Sequence, residues 1–247
     1  MLLKDKVAVI YGAGGAIGGA VGQAFAREGA KVFLTGRKRA GEIAEVDALD
    51  ERAIDAHLAS VIEKAGRVDI SFNAVGLSDK GILGVPLVEM DLEKFSQPIA
   101  AYTRSYFLTA RLAARRMVTK RSGVIMTVSA LMSRGSAPLV GGYSAAMAAK
   151  EAITRSLSLE LASLGVRAVC LRPHAMPETE TIREVFELKE AHKMKWDQWL
   201  EALASRTHTR RLMTVEELAN VAAFVASDRA SAMTGTTVNL SMGNLDD

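Results

Sequence analysis

The sequence predicts a doubly wound α/β domain, a parallel sheet with helices on both faces, and three features of its 247 residues carry that expectation. Segments such as VAVIY (7–11), GVIMTVS (123–129) and VRAVCL (166–171) are almost wholly apolar, which suits strands buried on both faces. They alternate with stretches of helical period. The first strand also runs directly into a glycine-rich turn, GAGGAIGG at 12–19, that opens a helix.

Taken in order, VAVIY is followed by a helix from about Ala16 to Glu28, which Gly29 ends, and by the strand KVFLT at 31–35. A short third strand, roughly Ile43 to Val46, leads to Asp47, and Asp50 can cap a helix running to about Lys64. VDISF at 68–72 is the fourth strand. A long helical stretch covers Asp91 to about Thr119, with Pro98 marking a kink or break near its start. GVIMTVS, a helix at 142–163, VRAVCL and a helical segment at 178–203 follow. Thr214 and Glu217 form a capping box for a helix at 215–226, and TTVNL at 236–240 closes the sheet. No linker rich in proline or in glycine and serine divides the chain, so residues 1–247 read as a single domain.

One connection breaks the pattern. Only seven residues separate Thr35 from Ile43, whereas a parallel crossover ordinarily takes a dozen or more. Either strands two and three do not pair in parallel, or a crossover helix is missing between about residues 37 and 42; the second reading is favoured.

The 31 basic and 28 acidic residues leave a net charge of +3, too small to point to nucleic acid. Cys170 is the sole cysteine and lies in an apolar run, so it reads as a small buried hydrophobe in a reducing, cytoplasmic setting. The start MLLKDKVAVIY lacks a signal-peptide layout and no stretch reaches 18 apolar residues, so neither secretion nor a membrane is expected. No metal site is expected.

Gly12, Gly14, Gly15 and Gly18 lie between a buried strand and a helix start. Glycines there allow a tight turn and close approach of a pyrophosphate to backbone N–H groups at the positive end of the helix. The end of strand two, where an acidic residue would accept the ribose 2′-hydroxyl of NAD, reads Thr35, Gly36, Arg37, Lys38. Two cations and no carboxylate attract a 2′-phosphate, so NADP is favoured, with NAD the alternative. Asp47, after strand three, is placed to accept from adenine or to serve as a turn residue.

With YGAGGAIG at 11–18, Asp47, NAVG at 73–76, YSAAM at 143–147, RPHAMPET at 172–179 and TGTTVNL at 234–240, the chain resembles the short-chain dehydrogenase/reductase family over essentially its whole length. The resemblance implies a Rossmann-type, three-layer αβα fold with seven strands in the order 3-2-1-4-5-6-7. It implies a cofactor across the carboxyl ends of the strands, with Ile17, Asn73, Ala74, Pro173 and His174 joining the glycines around it. It also implies a homotetramer or homodimer, and a substrate lid at about 173–210. Ile182, Phe186, Met194, Trp196, Trp199 and Leu203 are the apolar anchors of that lid, suited to a small apolar or amphipathic carbonyl or alcohol.

Family members typically combine a tyrosine with a lysine, a serine and an asparagine. Tyr143 matches the tyrosine, but Met147, Ala130 and Tyr102 occupy the other three positions. Lys150 shares nearly the same helix face as Tyr143, two turns or about 10 Å away. Strand alternation turns Ser129 to the opposite face from Ala130, while Ser133, Ser136, Tyr102, Arg104 and His174 are further polar candidates for the cleft. The expected function is a carbonyl–alcohol oxidoreductase with Tyr143 as proton donor; the alternatives are a non-catalytic dinucleotide-binding or regulatory protein and a non-redox reaction on the same scaffold.

Overall fold

The computed structural model describes residues 1–78, 82–135, 137–188 and 194–246. Its strands are β1 (Val7–Tyr11), β2 (Lys31–Gly36), β3 (Ala44–Glu45), β4 (Ile70–Asn73), β5 (Gly123–Val128), β6 (Val166–Pro173) and β7 (Thr236–Leu240). All pair in parallel, in the order β3-β2-β1-β4-β5-β6-β7. The helices are α1 (Ala16–Arg27), α2 (Glu51–Ala65), α3 (Leu92–Met117), α4 (Tyr143–Leu161), α5 (Glu180–Leu188), α6 (Trp196–Ala204) and α7 (Val215–Ala226). No described helix is long and apolar enough to cross a membrane.

Strand alternation divides the core between the two faces of the sheet. In β1, Ala8 and Ile10 pack with Val21 and Phe25 of α1 and Leu218 of α7. Val7, Val9 and Tyr11 instead join Ile54 and Leu58 of α2 and Tyr106 and Leu112 of α3. Cys170 is buried in β6, which pushes its thiol up to about 11 and keeps it protonated near neutrality. Helix starts follow the polar caps. Asp50 accepts from Arg52 N and Ala53 N, and Asp91 accepts from Glu93 N and Lys94 N. Thr214 and Glu217 close the expected capping box, each such cap contributing about 1 kcal/mol. The helix α3 continues through Pro98 without a break.

Two expectations are corrected. β2 and β3 do pair in parallel, Thr35 with Ala44 and Gly36 with Glu45, and no helix stands between them. The pairing is only two residues long, so the chain climbs back about 7 Å instead of a full strand length. A tight turn suffices for that, closed by hydrogen bonds between Ala40 and Ile43. The expected helix at 178–203 is two helices, α5 and α6, held together where Phe186 packs 5.1 Å from Trp196 and 5.5 Å from Trp199.

Candidate active site

The glycine turn between β1 and α1 is fixed by backbone contact. Gly12 has φ +80°, and a Cβ on it would lie 2.5 Å from Ala74 O. One on Gly18 would overlap Gly12 O. Gly14 differs, since a Cβ there meets nothing within 4 Å; its surroundings are open. Gly15 caps α1 without a side-chain hydrogen bond, and the first turn of that helix holds no acidic residue. The turn therefore presents a positive helix end and bare backbone, a fit for a pyrophosphate.

The other nucleotide-side candidates converge on the same sheet edge. A Cβ on Gly36, at the end of β2, would stand 4.0 Å from Gly14 N, which brings Arg37 and Lys38 beside the turn, both exposed. Asp47 is exposed, and its Oδ1 accepts from Leu49 N at 2.9 Å, the turn role. Ala74 N donates to Tyr11 O. Asn73 is buried, its amide donating to Thr109 Oγ1 at 3.1 Å. Tyr11, at the family's threonine position, turns into the core, where its hydroxyl has no partner among the described residues and burial raises its pKa.

Tyr143 begins α4, and its position depends on Gly142, where any Cβ would overlap Phe95 O of α3. The Tyr143 ring lies 5.9 Å from that of Tyr102, edge to face. Tyr102 is buried and accepts a hydrogen bond from Leu77 N at 3.1 Å. Met147 is buried beside both tyrosines, in an apolar cluster that Ala130 also touches. Lys150 curls inward: it is 2% exposed, Nζ donates to Val128 O at 2.6 Å, and it lies 5.6 Å from the Tyr102 ring centre. Burial lowers its pKa to about 8. Tyr143, Tyr102 and Lys150 thus form a stack at the carboxyl end of β5. Arg104 is exposed and lines a separate charged groove with Asp50, Glu51 and Arg115, so it does not join them.

Beneath this stack lies a buried ion pair that the motifs did not reveal. Arg172 of β6 and Glu151 of α4 meet through two bonds, Nε to Oε1 and Nη2 to Oε2, both 2.9 Å, with both side chains buried. Ser129 Oγ donates to Glu151 Oε1 at 2.8 Å, and Ser133 Oγ donates to the same oxygen. Ser129 lines the same cavity as Ala130, its hydroxyl engaged by this carboxylate, and Ser133 is held by it rather than free in the cleft. Burial pushes the Glu151 carboxyl up, but the bonds from Arg172, Ser133 and Ser129 outweigh it, leaving the pKa below the usual range. The sequence signal was a charge within each of two buried elements, since a buried charge needs a partner. Ser136 lies outside the described residues.

A cavity of about 390 Å³ opens over these groups. Ile17, Ala130, Tyr143, Pro173 and His174 line its inner wall, while α5 and α6 cover it with apolar side chains such as Ile182, Val185 and Trp199. His174 is 6% exposed, and burial followed by the nearby Arg206 charge lowers its pKa. No group of three His, Cys, Asp or Glu able to hold a metal occurs among the described residues.

Comparison with known proteins bears on the family and the fold. A family model described as enoyl-(acyl carrier protein) reductase matches residues 12–244. The 3-oxoacyl-acyl-carrier-protein reductase FabG of Escherichia coli is 28% identical over 98% of both chains. An uncharacterized oxidoreductase of Mycobacterium tuberculosis is 30% identical, again over 98% of both chains. The solved structure of NAD⁺-bound xylitol dehydrogenase has a TM-score of 0.90 at 22% identity, covering 98% of this chain and 100% of that one, a likeness of fold. The chain belongs to the short-chain dehydrogenase/reductase family of NAD(P)-dependent oxidoreductases.

Proposed function

We propose that this protein is an NADP(H)-dependent reductase of a small apolar or amphipathic carbonyl compound, with Tyr143 as the proton donor. The observation that carries the reading is the cavity itself, where Tyr143, the end of β6 and Ile17 behind the glycine turn share one apolar wall. In this reading Gly12, Gly14, Gly15, Ile17 and Gly18 hold the pyrophosphate and Arg37 and Lys38 take the 2′-phosphate; NAD is the alternative cofactor. Asp47 lies toward the adenine. Asn73, Ala74, Pro173 and the His174 backbone flank the nicotinamide side. When bound, NADPH would supply the hydride that goes to the carbonyl carbon.

Tyr143 does the rest of the chemistry. A neutral phenol can donate its proton to the developing alkoxide directly, and solvent restores it afterwards. Alcohol oxidation is harder, because a phenol is a poor base near neutrality without a close cation. Met147 provides none, and Lys150 acts from behind the Tyr102 ring. The covering helices α5 and α6 form the lid and exclude water. Exposed Phe107 of α3 and Leu159 of α4 favour pairing of these helices in a homodimer or homotetramer, and a single buried cysteine suits the cytoplasm.

A second reading rests on Ala130: with no hydroxyl there, Tyr143 is left to hold the substrate oxygen. One donor suits reduction of a carbon–carbon double bond conjugated to a carbonyl, the reaction named in the matching family model. Following NADPH oxidation with a panel of apolar ketones, aldehydes and conjugated enones separates the two. Tyr143→Phe is expected to lower kcat on the best substrate by about 10²–10⁴-fold while NADPH affinity stays within about twofold. Unchanged turnover would remove Tyr143 from the chemistry. Tight NADPH binding with no turnover across the panel favours a binding-only protein, and failure of both NADPH and NADH to bind in calorimetry overturns every cofactor-based reading.

A further inference from the structure

The cavity is not uniformly apolar. Among the described residues that line it none is acidic, and Arg206 is the one permanent cation. Arg206 follows α6, its side chain is exposed, and it makes no ion pair or side-chain hydrogen bond among the described residues. On the same cavity, within reach of the Arg206 charge, neither ring nitrogen of His174 has a partner among the described residues, and Nδ1 is fully enclosed. Nδ1 is too enclosed to meet a ligand, so the donor that the end of the cavity offers is His174 Nε2–H, beside an unused positive charge.

This end is also rigidly built. Arg206 N donates to Leu203 O at 3.2 Å, and Arg206 O accepts from Asn244 Nδ2 at 3.1 Å. Asn244 and Leu245 themselves line the cavity. Their segment is tied back by Asn239, whose Nδ2 donates to Leu245 O at 2.7 Å, and by Ser241 Oγ, which donates to that oxygen at 3.2 Å. A side chain mounted on so fixed a frame loses less freedom when it binds a ligand.

We propose that Arg206 and His174 form a subsite for a substrate carboxylate, so that the reductase acts on amphipathic oxo acids whose chain lies along the apolar wall between Arg206 and Tyr143. The substrate class rests on the reductase reading; the subsite does not. Burial and Arg206 keep the His174 imidazole neutral near pH 7, so the pair carries one net positive charge. A monocarboxylate matches it, with the guanidinium as ion partner and an imidazole N–H as a second donor.

Calorimetry without dinucleotide tests this, with decanoate and decanol as probes at pH 7.5 and low salt. Decanoate is expected to bind at least tenfold more tightly than decanol. Arg206→Gln should erase that difference by weakening decanoate alone, Arg206→Lys should restore most of it, and His174→Phe should weaken decanoate severalfold. The unfolding midpoint of each variant checks that the fold is retained. Equal binding of the two probes, no binding of decanoate, or decanoate affinity that survives Arg206→Gln would overturn the proposal. Because neither cofactor nor turnover enters this measurement, failure of the reductase reading would show separately, in the NADPH experiments.

Discussion

The two ends of the cleft are built on opposite principles. On the nucleotide side, β1, the glycine turn and the start of α1 work by omission: backbone is packed on backbone, and any added Cβ at Gly12 or Gly18 meets a carbonyl. On the reaction side, α4, β5 and β6 work by pairing: Lys150 with Val128 O, Glu151 with Arg172, Tyr102 with Tyr143. A region of the first kind is read from local spacing. One of the second kind needs the three-dimensional arrangement, because its partners come from separate elements.

This contrast can be tested from its largest effect downwards. Gly18→Ala forces a methyl into the Gly12 carbonyl and is expected to cost more than about 4 kcal/mol, enough to unfold a marginal domain. Gly14→Ala, with open space around it, should leave the urea midpoint unchanged and weaken only NADPH binding. Equal losses from the two variants would break the distinction. On the pairing side, Arg172→Met strands a buried carboxylate and should cost about 3–5 kcal/mol, while the double change Arg172→Met with Glu151→Leu should recover most of it. If the double variant is no more stable than the single one, the ion pair is not the organising contact.

The smallest effect is expected at Lys150. Its folded pKa of about 8 lies below its ordinary value of 10.5, so the unfolded chain holds more protons between those limits and stability rises with pH across them. Below pH 8 the buried charge carries its full penalty, on the order of 3 kcal/mol at most. Lys150→Met is therefore expected to raise stability at pH 7 by up to about that amount, less the lost bond to Val128 O. Its advantage over the wild type should fade by about pH 10.5. An advantage that stays constant over this range would show that Lys150 titrates normally.

The fold was legible because its signals are local. Apolar strands, Asp50 as a cap, the Thr214–Glu217 box and the seven-strand order implied by the family resemblance all agree with the structure. The misjudged connection between β2 and β3 came from applying a crossover length suited to full strands to a pairing two residues long. At the site, the motif marked Tyr143, now at the start of α4, but separation along the helix does not show that Lys150 turns inward to the end of β5. Glu151 and Arg172 lie 21 residues apart on different elements, a pairing that no local motif encodes. Arg206 and Asn244 reach one cavity wall from distant segments, a meeting that no single motif encodes.

The short link after β2 has a consequence for how the protein responds to its medium. Arg37, Lys38 and Arg39 are consecutive, exposed and without an ion pair among the described residues, and the turn closed by Ala40 and Ile43 keeps them from spreading apart. Their mutual repulsion falls as ionic strength rises, because the screening length shrinks from about 30 Å at 0.01 M salt to about 8 Å at 0.15 M. Dilute buffer should therefore be the least favourable condition for this corner of the sheet, and a multivalent oxyanion a better stabiliser than chloride at the same ionic strength.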